Sequence, residues 1–234
     1  LRLSDWIAYN EQSLPGELLN RLWSDAHVVR ARAGQIVIAH GVLSKEVYFV
    51  LSGAFEVLIT ARDGRDVVVR DLGSGALFGD FAALDGEPRS ATVVATIDSS
   101  IARIPSDTFL NAVAEIPEAS RWFMHRLSNE VRRLTDKIFE LSVIDARGRL
   151  HCELLRSVVG APRSGAYVKL DPAPTHEALA QRIGSQREAV SRELARLEIA
   201  GILNRTRRRI EVDVSRLARL VETEIGHLPP LSRW

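Results

Sequence analysis

The sequence predicts an α+β chain in three parts: a β-rich domain, one long helix and a winged helix-turn-helix. Three observations carry this reading. Short β-branched runs separated by glycines fill residues 28–106, the pattern of a sandwich or barrel of many short strands. An apolar heptad runs from Met124 to Leu141. Two short helical segments meet at Gly184 and lead into a basic, β-branched tail, the arrangement of a helix-turn-helix with a wing.

The 234 residues are 46% hydrophobic and 26% charged, with six histidines and one cysteine. That is ordinary globular composition, and the length suggests one or two domains. No apolar run reaches the roughly 18 residues that a membrane span needs, and the start lacks the features of a signal segment. The chain opens on Leu1 rather than Met, which points to a longer native N-terminus. The lone Cys152 excludes an internal disulfide, a multi-cysteine zinc site and an iron–sulfur cluster. A reducing, cytoplasmic setting is expected, with no metal and no resident cofactor. The net charge of +1 divides unevenly, because residues 1–115 carry 10 basic and 15 acidic side chains and residues 116–234 carry 21 and 15. A basic second half suits a polyanionic partner without proving one.

Taken in order, Leu14, Leu18, Leu19 and Leu22 predict a helical lead-in, with Pro15 in its first turn. Strands are expected at Gln35–Ala39, Glu46–Leu51, Phe55–Thr60, Asp66–Leu72, Ala91–Thr96 and Ser100–Ile104. Asp63-Gly64 marks a hairpin. The stretch from Ala76 to Ser90, rich in Ala, Gly and charge, breaks the strand pattern and reads as a functional loop on a rigid scaffold. Pro117 opens a long helix in which Met124, Leu127, Val131, Leu134, Ile138 and Leu141 step by three and four residues. That seam favours a second copy of the same helix, hence a homodimer, over packing on the chain's own β domain. A further helix follows Arg147-Gly148, then a Gly- and Pro-rich loop (Gly160, Pro162, Gly165, Pro172, Pro174) around a strand at Tyr167–Leu170. The expected regions are 1–115, a sensor domain; 116–145, the dimerisation helix; and 146–226, the winged helix-turn-helix.

Thr175 is a natural cap for the first helix of the motif, Gly184 ends it, and Ser185 or Gln186 starts the second. Arg187, Glu188 and Arg192 fall near the start of that second helix. DNA readers place these positions in the major groove, where arginine pairs with guanine and glutamate accepts from cytosine. Thr175 and Gln186, at the two helix starts, join them as DNA-facing candidates. Arg205, Arg207, Arg208 and Arg209 in the wing suit phosphates, which supply affinity without sequence choice. In the loop, a helix starting after Phe78-Gly79 offers backbone N–H groups to an anion. Arg89 adds a cation that grips phosphate and Ser90 a hydroxyl. Asp80, acceptor-only when ionised, suits a sugar hydroxyl. The spacing equally allows an Asp80–Arg89 ion pair that merely holds the loop. As a loop residue, Arg89 is expected to be dispensable for folding.

The run Phe78-Gly79-Asp80-Phe81-Ala82-Ala83-Leu84, followed by Pro88-Arg89-Ser90-Ala91-Thr92, resembles the phosphate-binding cassette of cyclic-nucleotide-binding domains. With the long helix and the winged helix-turn-helix, the chain from about Asp25 to Val221 resembles the CRP/FNR family of bacterial transcription regulators. Arg187-Glu188 and Arg192 are similar to the pattern of the cyclic-AMP-receptor members. The resemblance implies a β-jelly-roll sensor domain, a homodimer, a palindromic DNA site with TGTGA-like half-sites and RNA polymerase as a further partner; an enzyme is not expected, because the sequence has no nucleophile–base motif, no metal-ligand spacing and no Walker-type loop. It would place Asp80 on the ribose 2′-hydroxyl, Arg89 and Ser90 on a cyclic phosphate such as that of cyclic AMP, and Thr135 on the base. Two positions depart from the pattern. The family usually has glutamate at the Asp80 position, and Leu134 stands where those members have a second polar contact. Another effector, such as cyclic di-GMP, or none at all, fits the same residues. Haem is not suggested: His27, His40, His125, His151, His176 and His227 are scattered and read as surface or internally satisfied histidines.

Overall fold

The computed structural model describes residues 14–62, 64, 66–158, 163–164, 167–206 and 208–225. The lead-in before Leu14, the turn residue Asp63, the loop residues Gly160, Pro162 and Gly165, the wing residue Arg207, His227 and the expected end of the last region at 226 lie outside the described residues. The chain forms two compact units that divide between Asn129 and Glu130, inside the long helix.

The first unit runs α1 (Gly16–Ser24), β1 (His27–Ala31), β2 (Ile36–Ile38), β3 (Val47–Ser52), β4 (Ala54–Thr60), β5 (Asp66–Gly73), β6 (Leu77–Phe78), α2 (Asp80–Asp85), β7 (Thr92–Ala95), β8 (Ser99–Ile104), α3 (Ser106–Glu115) and the start of α4 (Pro117–Val143). Its strands form two four-stranded sheets, in the orders β1-β8-β3-β6 and β2-β7-β4-β5. The antiparallel pairs nest first with last, β1 with β8, β2 with β7, β3 with β6 and β4 with β5. That nesting is a jelly roll.

Strand β3 shows why the sequence folds this way. Val47, Tyr48, Phe49, Val50 and Leu51 are all buried, and successive side chains of a strand face opposite sides. Val47, Phe49 and Leu51 join a core with α1, α3 and α4. Tyr48 and Val50 join the other, with Phe55, Leu72, Phe78, Val93 and Ile101. A strand covered on both faces reads as a continuous apolar run.

The second unit holds the rest of α4, then α5 (Ala146–Ser157), β9 (Arg163–Ser164), β10 (Tyr167–Leu170), α6 (His176–Ile183), α7 (Arg187–Ile199), β11 (Leu203–Arg205), β12 (Ile210–Asp213) and α8 (Val214–Ile225). Its four strands form one antiparallel sheet, β11-β12-β10-β9. Leu150, Leu154, Leu179, Ile183, Val190, Leu194, Leu197, Val212 and Leu217 share one core. Asp145 caps α5 by accepting from the Gly148 N–H at 2.8 Å, and Thr175 caps α6 by accepting from the Ala178 N–H at 3.0 Å. Among the described residues no helix is long and apolar enough to cross a membrane.

Candidate effector and nucleic-acid sites

The cassette begins where β6 ends. Gly79 takes φ +81° as it turns the chain into α2. A Cβ there would lie 2.8 Å from Nη1 of Arg89 and 2.9 Å from the carbonyl of Glu46. Backbone conformation and crowding both require glycine at this position. The crowding comes from Arg89, which is only 3% exposed. Its Nε donates to Ser44 Oγ at 2.8 Å, Nη1 to the Gly79 carbonyl at 2.8 Å and Nη2 to the Glu46 carbonyl at 2.7 Å. Burial pulls the guanidinium below its ordinary value, against the opposing influence of Tyr48, Glu46 and Asp80. Arg89 therefore ties three chain segments together; it is buried and bonded, not the open loop residue that the expectation of its dispensability assumed. A guanidinium has five N–H donors; these bonds take three, and the Glu46 carboxylate lies 3.7 Å from Nη2.

Asp80, the first residue of α2, is 4% exposed. The Asp80–Arg89 pair allowed by the spacing does not form. The cation comes instead from α4: Arg126 approaches Oδ2 through Nε at 3.2 Å, and Oδ1 and Oδ2 through Nη2 at 3.3 and 3.1 Å. Nη2 also donates to the Leu77 carbonyl at 2.8 Å. A carboxylate offers about four lone-pair sites, so Asp80 retains capacity to accept from a hydroxyl. Ser90 is exposed beside Arg89. Phe78 is buried, stacked on Tyr48 at 5.1 Å, and serves the core with its side chain. Thr135 belongs to the second unit and is exposed there, its hydroxyl donating to the Val131 carbonyl at 2.9 Å.

The heptad divides by burial. Met124, Val131, Leu134, Ile138 and Leu141 are exposed, Val131 at 63% and Ile138 at 65%. Leu127 differs, packing with Ala119 and Phe123 on the core of the first unit. Arg126 borders that second, inward stripe. Its role was missed because the heptad places it on an outer face; the spacing Ala119, Phe123, Leu127 was the available signal. Ser44 and Glu46, the other partners of Arg89, carry no motif and could not be read from sequence.

In the second unit Gly184 takes the left-handed conformation, φ 58° and ψ 50°, between α6 and α7. Arg149 on α5 braces this turn, donating through Nε to the Ile183 carbonyl at 2.8 Å. Val190, Leu194 and Leu197 anchor α7 inward, while Gln186, Arg187, Glu188 and Arg192 are exposed at its start. A buried polar bond adds to the anchor: His151, fully buried on α5, meets Glu193 of α7 through Nε2 and Oε1 at 2.6 Å. Burial pushes the Glu193 carboxyl up, but bonds from Arg196 and His151 outweigh it and hold the group below its ordinary value. Thr175 is exposed yet committed to its cap. In the wing, Arg205 is held by Glu198 at 2.6 Å and Arg209 by Asp171 at 2.6 Å, whereas Arg208 is exposed.

Comparison with known proteins is consistent across both units. Residues 28–115 match the cyclic nucleotide-binding domain and residues 148–220 the Crp-like helix-turn-helix domain. The chain is 27% identical over 164 residues to a CRP-like cAMP-activated global transcriptional regulator of Mycobacterium tuberculosis, covering 69% of this chain and 73% of that protein. It is 26% identical over 195 residues to the cAMP-activated global transcriptional regulator Vfr of Pseudomonas aeruginosa, covering 80% and 89%. Its fold is similar to that of the c-di-GMP-responsive global regulator CLP of Xanthomonas campestris, with a TM-score of 0.75, 21% identity and coverage of 85% and 99%.

Proposed function

Because the chain belongs to the CRP/FNR family of DNA-binding transcription regulators, we propose that it acts as a homodimer that reads a palindrome when an effector occupies its jelly roll. The observation that carries this reading is the trio Arg187, Glu188 and Arg192, exposed at the start of a helix whose opposite face is anchored in the core. Two such helices, one from each copy, reach half-sites one helical turn apart. The exposed row Met124, Val131, Leu134, Ile138 and Leu141 supplies the apolar face that a second copy covers. TGTGA-like half-sites fit the two arginines and the glutamate. RNA polymerase is the further partner in the bacterial cytoplasm.

The effector we favour is a cyclic mononucleotide such as cyclic AMP. The charge of the Arg89 guanidinium suits its phosphate, and Asp80 suits its ribose hydroxyl. Binding would shift a pre-existing equilibrium toward the DNA-competent dimer. One observation favours a second reading, in which the protein works without a cyclic mononucleotide or with another effector such as cyclic di-GMP: the charge of Asp80 is already satisfied by Arg126. Calorimetry on nucleotide-stripped protein with cyclic AMP, cyclic GMP and cyclic di-GMP separates these. Heat from cyclic AMP alone supports the first reading. Heat from cyclic di-GMP alone, or from none of the three, supports the second.

A further inference from the structure

His176 occupies the first position of α6, next to the cap Thr175. Its Nδ1 lies 2.7 Å from Ser191 Oγ on α7. Ser191 gives its single hydroxyl proton to the Arg187 carbonyl at 2.9 Å. With the Ser191 hydroxyl donating to that carbonyl, its oxygen accepts from the histidine, and in this arrangement Nδ1 carries a hydrogen and Nε2 is the nitrogen that titrates. Nε2 has no hydrogen bond among the described residues. In a helix-turn-helix on DNA, the first helix crosses the sugar–phosphate backbone while the second enters the groove. A neutral Nε2 presents a lone pair to a phosphate oxygen, acceptor against acceptor. A protonated Nε2 presents a charged donor, the kind of group that binds phosphate well.

From this geometry we propose that His176 is a proton-linked contact to the DNA backbone, so that the protein takes up a proton as it binds DNA. The surroundings make the linkage strong. Burial, then the positive charges of Arg205 on β11 and Arg187 on α7, lower the imidazole below its ordinary value. The nearby acids offer little relief: Glu198 is bonded to Arg205, and Glu177 and Glu188 are exposed. The free protein is thus neutral at His176 near neutral pH, and a phosphate beside Nε2 supplies the negative charge that raises the imidazole. DNA affinity then increases as pH falls through the value of the bound state, and levels off below that of the free state.

The inference rests on the DNA-binding reading, and the test keeps the two apart. Fluorescence anisotropy would follow the full-length protein binding two duplexes, one with inverted TGTGA half-sites and one of mixed sequence, between about pH 8 and about pH 6. Affinity for both should rise toward acid, with a limiting slope of about tenfold per pH unit for one proton. His176→Asn keeps a donor toward Ser191 without a titrating group and should flatten the slope; His176→Gln is the second variant should Asn fail to fold. Histidine-labelled NMR should show the His176 titration moving up when DNA is added. Binding that is independent of pH, a slope retained in the folded variant, or a titration unmoved by DNA overturns the inference and leaves DNA binding intact. Absence of binding to either duplex at every pH, with or without cyclic nucleotide, overturns the DNA-binding reading itself.

Discussion

Arg126 grips both carboxylate oxygens of Asp80, at 3.1 to 3.3 Å, from the helix whose heptad points to another partner. Both side chains are nearly buried, so neither charge finds water if the other is removed. The pair pins α2, and with it the cassette, to α4. Asp80→Asn and Arg126→Gln should each destabilise the first unit. In a double-mutant cycle the two should couple by about 0.5–3 kcal/mol, the range for groups in one ionic network. Urea unfolding of the four proteins measures this, and strictly additive effects would show that the pair does not hold the cassette.

The Arg89 side chain satisfies two backbone carbonyls and one hydroxyl. Arg89→Ala removes the partner of all three, which are partly buried, and losing such bonds costs roughly 0.5–1.5 kcal/mol each. The variant should lose cyclic-nucleotide binding and also melt several degrees lower. Unchanged melting with lost binding would mean that its hydrogen bonds are dispensable and that only its charge matters.

The helix face can be tested without touching either core. Val131→Asp and Ile138→Asp replace exposed side chains, so the folded monomer should tolerate them. Each apolar side chain covered in a dimer contributes about 1.5–3 kcal/mol, and a buried unpaired carboxylate costs more than that gain. The double variant should sediment as a monomer. A persistent dimer would place the interface elsewhere.

Acid should weaken the second unit. The Gly148 N–H, with Arg147 helping, holds the Asp145 carboxyl below its ordinary value against partial burial, and Glu193 is held down by Arg196 and His151 against its own burial. Groups depressed in the fold stabilise it above their unfolded value and cease to do so as pH falls through the folded one. Stability of this unit should therefore begin to decline below about pH 6.5, where His176, held low in the fold, takes up its proton more readily in the unfolded chain, and should decline again below about pH 4. Glu193→Gln should remove part of that second decline. Thermal unfolding followed by circular dichroism across this range checks both statements.

Much of this was legible in the sequence because local chemistry and tertiary context agree. Thr175, Gly184 and the apolar spacing Val190, Leu194, Leu197 specify the two motif helices almost to the residue. Strand Tyr167–Leu170 has the expected ends. The elements that escaped lack such signals. β1 is exposed at four of its five positions, so no alternation marks it. β6 is only two residues long, and it was folded into the loop that follows. α3 and α8 were not anticipated, although Phe109, Leu217 and Val221 prove fully buried. At the cassette, residue types were readable but pairing was not. Asp80 had two candidate arginines within reach of the fold, and only the packing of Phe123 and Leu127 brings Arg126 to it.

The DNA-facing arginines should fall into two classes with opposite signatures. Arg187 and Arg192 are exposed on a helix rigidly anchored by Val190, Leu194 and the His151–Glu193 bond. A rigid anchor fixes where a guanidinium meets a base edge, which is what sequence choice requires. Losing one such bidentate contact should cost about 1–3 kcal/mol and relax preference at one base position. Arg208 is exposed in the wing and suits a phosphate. Its replacement by alanine should weaken binding to all sequences alike and reduce the salt dependence by about one counterion. Arg205 should behave differently again, because its side chain is already bonded to Glu198 and Glu198→Gln should strengthen binding to any duplex. Selection from random DNA, followed by salt titrations of each variant, reads all of these at once. Arg187→Ala should keep the palindrome and lose one guanine. A variant that instead loses the palindrome altogether would make Arg187 a positioning residue rather than a reader.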